Sequence, residues 1–135
     1  MNENGNGTGT GASADPVQKD LPIGTYQHFK GPTYRVLGVI RYREDARASA
    51  SLWVRAFESG RESDDTAARI VIFRDGDGAF FDDGALRGRL GDDFLVLYYP
   101  LERRELLTVR SFDEFTGYAR GSHDKRFVLI EEEPA

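Results

Sequence analysis

Residues 33–42, TYRVLGVIRY, decide the fold. Tyr34 and Val36 alternate with Arg35 as in a half-buried strand, but past Gly38 the apolar positions are Val39 and Ile40. Successive strand side chains point to opposite faces, so this change of phase predicts a β-bulge at Gly38. Similar short runs lie downstream: ASLWVRAF (50–57), ARIVIFR (68–74), DFLVLYY (93–99), ELLTVR (105–110) and KRFVLIE (125–131). Each is rich in β-branched or aromatic residues and bounded by Gly, Asp, Ser or Pro, the pattern of a strand between turns. Asp75-Gly76, Asp77-Gly78 and Asp83-Gly84 predict turns, and residues 100–104 (PLERR) a hairpin loop. Only SFDEFTG (111–117) reads as helix, a single turn with Ser111 as cap, Glu114 three residues on and Gly117 as the stop. Six or seven short strands and one helical turn predict an all-β chain, a small, strongly bent SH3-like barrel or sandwich.

Residues 1–20, MNENGNGTGTGASADPVQKD, carry almost no large apolar side chains. Such a segment buries too little surface to offset its chain entropy and reads as a disordered tail. A single β domain over 21–133 remains. No apolar run follows a basic start, and none is long enough to span a membrane, which predicts a cytoplasmic protein. The absence of cysteine removes disulfides and thiolate metal or redox sites.

The 18 basic against 23 acidic residues give a net charge of -5, which argues against binding nucleic acid through bulk charge. The charges are segregated. Residues 24–57 hold six basic against two acidic, 58–93 five against ten, and 94–135 six against eight. The basic segment also interleaves Tyr26, Phe29, Tyr34, Tyr42 and Trp53, so a nucleic-acid-associated barrel stands as an alternative. LWVRAFESG (52–60) before ARIVIF echoes LTVRSFDEFTG (107–117) before KRFVLI, which would fit a duplicated two-strand unit.

The sixteen residues 24–39, GTYQHFKGPTYRVLGV, resemble the opening of the Domain of Unknown Function 1653 family of small bacterial β domains, with its G-x-Y-x-H-[YF]-K-G-x-x-Y-x-V-x-G pattern. Leu95–Leu101, Leu107–Phe115 and Arg126-Phe127 resemble the rest of that domain. Thr108 and Ser111 stand where the family usually has Trp and Pro, and Trp-Val-Arg occurs instead at Trp53-Val54-Arg55. Residues 58–93 then read as an acidic hairpin insertion between the two halves. The resemblance implies a compact β fold and no particular activity.

The candidate ligand-binding residues are Tyr26, His28, Lys30, Tyr34, Arg55, Arg110 and Arg126. Alternation places Tyr26, His28 and Lys30 on one strand face, where Lys supplies a point charge and His titrates near neutrality. Arginine reads carboxylate or phosphate bidentately, so the three strand arginines would complete an anion pocket at a barrel mouth. Against this, the tyrosines would pack in a core and each arginine would tether a nearby carboxylate such as Glu58, Asp113 or Asp124. The run Asp75, Asp77, Asp82, Asp83, Asp92, Asp93 has the density of a hard-cation site but not an EF-hand's spacing, and reads first as turns. Ser122-His123-Asp124 likewise reads as a turn. No G-x-S-x-G, H-E-x-x-H or phosphate-cradling glycine loop occurs, so no catalytic residue, metal ligand or cofactor is assigned. The expected function is a non-catalytic binding module for a small anionic ligand or a protein segment. The remaining alternative is an enzyme acting on a small phosphorylated substrate.

Overall fold

The computed structural model describes residues 19–61 and 68–133. Along them run β1 (Gly24–His28), β2 (Thr33–Tyr42), α1 (Ala46–Ser49), β3 (Ser51–Glu58), β4 (Ile70–Asp75), β5 (Gly78–Phe81), α2 (Gly84–Leu90), β6 (Phe94–Pro100), β7 (Thr108–Ser111), α3 (Phe112–Thr116) and β8 (Phe127–Glu132). The eight strands form one sheet in the order β5-β4-β3-β7-β6-β2-β1-β8. A parallel pairing of β5 with β2 closes six of them, β2 to β7, into a small all-β barrel. Strands β1 and β8 carry the sheet on beyond the barrel wall.

The bulge at Gly38 links two cores. The register with β6 passes from Val36 opposite Tyr98 to Gly38 opposite Leu97, and Gly38 takes φ 148, a conformation that L side chains rarely adopt. The phase of β2 flips there. Ile40 faces the barrel interior with Ala56, Ile70, Ile72, Phe81, Leu86, Leu95, Leu97 and Val109. Val36 instead faces outward, into a second core with Tyr26, Val96, Tyr98, Phe115 and Phe127. Strand β6 therefore sends Leu95 and Leu97 inward and Val96 and Tyr98 outward, and all four are buried. A strand covered on both faces reads as an unbroken apolar run, which is what FLVLYY is.

Several expectations need correction. Eight strands replace six or seven, because Gly78–Phe81 is a strand in its own right. Three short helices replace one. Asp83-Gly84 is not a turn but the start of α2, with Asp83 Oδ1 accepting from the Leu86 N–H at 3.0 Å and Gly91 ending the helix at φ 65. The expected helix over 111–117 is present as α3, with Ser111 Oγ accepting from the Glu114 N–H. Within residues 58–93, β4 and β5 are barrel walls, and Leu86 of α2 is in the interior. The two echoing strings do not occupy equivalent places, since β3 and β7 are neighbours, while β4 is a barrel wall and β8 lies outside it. Instead the parallel contacts β2–β5 and β3–β7 lie on opposite sides of the barrel, so half a turn would exchange β2 with β3, β4 with β6 and β5 with β7.

The tail expected over 1–20 falls outside the described residues except for Lys19 and Asp20. Lys19 is held by Asp113 at 3.0 Å, and this bond raises its pKa. Among the described residues no helix is long and apolar enough to cross a membrane.

Candidate functional site

A tight turn sets the first part of the site. The His28 N–H donates to the Pro32 carbonyl and the Gly31 N–H to the His28 carbonyl, both at 2.8 Å, while Gly31 takes φ 113. The turn brings the Lys30 N–H to the imidazole, whose Nδ1 accepts it at 3.2 Å, and the Lys30 ammonium lies 5.6 Å from the centre of the Phe29 ring. Strand β8 places Phe127 opposite His28. The imidazole rests edge-on against Phe127, with centroids 4.9 Å apart, and Tyr34 and Phe29 complete its surroundings. Tyr34 in turn meets Tyr98 and Phe127 edge-on.

Two arginines arrive from elsewhere in the chain. Arg110, on the outward face of β7, donates through Nε to the Tyr98 hydroxyl at 3.2 Å and pairs with Glu114 at 3.0 Å. Its guanidinium lies 5.4 Å from the centre of the Phe127 ring. Arg126 donates to the main-chain carbonyls of Glu114 and Tyr118, which carry no net charge and leave its own uncancelled. Burial lowers the His28 pKa, and the positive charges of Arg110, Arg126 and Lys30 lower it further. One half-buried imidazole thus feels three cations.

Of the seven candidates, the structure brings together His28, Lys30, Tyr34, Arg110 and Arg126. Tyr26 adjoins them from beneath: it is 4% exposed, its hydroxyl donates to the Pro22 carbonyl at 2.6 Å, and burial pushes its pKa up to about 12. It is a core anchor. Arg55 stands apart, exposed on β3 opposite Val71, because the next residue, Ala56, points into the barrel.

A barrel mouth rich in arginine does exist, but with residues that sequence reading passed over. Arg61, Arg69 and Arg89, with Glu58 and Asp83, line a cavity of about 300 Å³ floored by Ala56 and Ile70. Arg89 is paired to Glu58 at 2.7 Å and Asp83 caps α2, so much of this lining already serves the fold. Sequence alone could not reveal that group, since its members come from β3, β4 and α2 and from the connections beside them.

The aspartate run resolves into separate structural roles. Asp75 accepts from the Asp77 N–H and pairs with Arg43, Asp82 pairs with Arg47, and Asp93 pairs with Arg87. Asp92, only 8% exposed, accepts from the N–H groups of Phe94 and Asp113 and from the Ser111 hydroxyl. Among the described residues no group of three His, Asp or Glu side chains is placed to hold a metal. Ser122, His123 and Asp124 lie in a turn, with the Asp124 N–H bonded to Ser122 Oγ. Comparison with protein-family models, with curated proteins and with solved structures finds no match.

Proposed function

We propose that this protein is a non-catalytic binding module whose patch of His28, Lys30, Arg110 and Arg126, backed by Tyr34 and Phe127, receives the acidic side chains of a protein segment. The observation that carries this reading is the convergence of three cations on one imidazole, where among the described residues one carboxylate, Glu114, is ion-paired with them. Lys30 and Phe29 are exposed while His28, Arg110 and Arg126 are half-buried, an arrangement that suits side chains presented by a partner. Phe29, 43% exposed beside Lys30, adds an apolar rim.

The chemistry of His28 favours binding over catalysis. A neutral imidazole that accepts at Nδ1 carries its proton on Nε2, so that nitrogen is a donor rather than a base. The basic character of residues 24–57 gives little support to nucleic acid. Arg35, Arg43 and Arg47 are ion-paired to Glu133, Asp75 and Asp82, and Tyr26 is buried. Membership of the Domain of Unknown Function 1653 family belongs to the same proposal, supported by the Gly24–Val39 string that builds β1, its turn and most of β2.

The test is a titration of isotope-labelled protein with a hexaglutamate peptide, and separately with inorganic phosphate, followed by NMR. The peptide is expected to shift the His28, Phe29 and Lys30 resonances and to raise the His28 pKa. Lys30→Ala should weaken binding about tenfold, a loss typical of one charge-assisted contact, at an unchanged melting temperature. Shifts with phosphate but none with peptide would replace the protein segment by a small anion. No shift at the patch with either would end the proposal.

A further inference from the structure

An apolar groove lies beside the patch, where β1, β8 and α3 meet. Its volume is about 330 Å³, and Leu21, Tyr26, Phe115, Phe127 and Leu129 supply its apolar walls. That is the small end of the range for ligand cavities. Phe127 belongs to both places. Its ring meets the His28 imidazole edge-on at 4.9 Å, lies flat against Phe115 at 3.9 Å and forms part of the groove wall. The β1–β8 register explains the adjacency, with His28 opposite Phe127 and Tyr26 opposite Leu129. Side chains two residues apart on a strand share a face and lie about 7 Å apart, so patch and groove follow one another along a single strand pair. The register shift between Thr25 and Tyr26 lies beyond this stretch and leaves it regular.

Charge runs along the same line. Among the described residues the charged side chain that lines the groove is Lys125, while Lys30, Arg110 and Arg126 gather at the His28 end. The acidic residues Glu131 and Glu132 lie past Leu129, at the other end. A ligand crossing from the patch meets cations first and an apolar hollow next. An extended segment has the period of the strands beneath it, so its side chains at positions i and i+2 reach the same side. We infer that the partner segment carries a large apolar side chain two residues from an acidic one, the carboxylate going to the patch and the apolar group into the groove. This second determinant rests on the acidic-segment reading of the patch. An apolar anchor in a pocket, beside charged contacts, is the usual source of most of the binding energy at a protein–protein surface.

Capped peptides Glu-Glu-Gly-Phe and Phe-Gly-Glu-Glu, one for each chain direction, test it by NMR titration of the full chain. They are compared with versions carrying Ala for Phe and with versions carrying Gln for Glu. In one direction the Phe peptide should bind about tenfold tighter than its Ala counterpart, the gain expected for burying most of a Phe side chain. It should shift the Leu21 and Leu129 methyls together with His28 and Lys30. Leu21→Ala and Leu129→Ala should each cut that gain to about threefold and leave the affinity of the Ala peptides unchanged. Equal affinity of the Phe and Ala peptides, with shifts at the patch, would overturn the apolar determinant while the acidic reading stood. No shift from any Glu peptide would end the acidic reading and this inference with it. Gln peptides that bind as tightly as Glu peptides would separate groove from patch and overturn the paired motif. Contacts to the Leu129 methyls in the free protein, from residues 1–18 or from a second copy at rising concentration, would give the groove another occupant and overturn it too.

Discussion

The imidazole of His28 feels its position more than its chemistry. Burial first, then Arg110, Arg126 and Lys30, hold its pKa below the ordinary 6.5. As pH falls through 6.5 the unfolded chain takes up the proton before the folded one does, so unfolding is favoured. The contribution of His28 is complete above about pH 6.5 and is lost as pH drops through the lowered folded value. The urea midpoint is therefore expected to decline between pH 7 and 5, and to decline less in His28→Gln. Removing one cation should move the group directly: in Arg110→Gln the His28 NMR titration should shift upward. An unmoved value would show that Arg110 does not act on the imidazole. Strand alternation put Lys30 on the face of His28, but β1 ends at His28 and it is the turn at Gly31 that brings the two together, while the nearness of Arg110 was not legible at all. Arg110 reaches it only because β7 lies against β6, β6 against β2 and β2 against β1.

Single side chains hold the elements in register, and Asp92 is the clearest case. Its carboxylate receives the Phe94 N–H at the start of β6 and the Ser111 hydroxyl and Asp113 N–H at the start of α3. Asp92→Ala leaves those donors without their partner and should cost about 2–3 kcal/mol in chemical denaturation, the range for losing buried bonds to a charged group. Asp92→Asn, which keeps acceptor capacity, should cost less. Gly24 is the second case. A Cβ there would lie 2.2 Å from the Glu131 carbonyl oxygen and 2.9 Å from the Glu132 Cα, both main-chain atoms that cannot swing aside. Gly24→Ala should force β8 away from β1, lowering stability by about 1–3 kcal/mol and loosening amide protection along β8 first. The α3 cap could be read in advance, since Ser111, Glu114 and Gly117 lie within one turn. The signals for α2 were also present, in Asp83 and Gly91, but Gly88 and the sparse apolar pattern of GALRGRL masked them. Strand β5 is four residues long and starts with a glycine, too short to show a period.

For the molecule as a whole, closure of the barrel depends on the parallel contact that sets Ile40, Arg41 and Tyr42 against Ala79, Phe80 and Phe81. Phe81 is fully buried, with Tyr42 edge-on against its ring. Phe81→Ala should cost about 3–5 kcal/mol, the usual penalty for emptying an aromatic site in a core, and should lower exchange protection in both β2 and β5. Protection lost in β5 alone would mean that the barrel wall stands without this contact. What the residues determined by themselves was local: short strands of period two, the bulge where the phase slips at Gly38, the turn at Gly31-Pro32 and the cap at Ser111. Each depends on neighbours a few positions away, through steric limits on φ and ψ or a hydrogen bond within one turn. Tertiary structure alone decided which strands meet, and therefore that β4 and β5 are barrel walls. It also set the basic first segment against the acidic middle one, through Arg43–Asp75 and Arg47–Asp82, and gathered Lys30, Arg110 and Arg126 around His28. Those choices follow from burying apolar faces of distant strands against one another, and a strand's own residues state which face is apolar without naming the strand that will cover it.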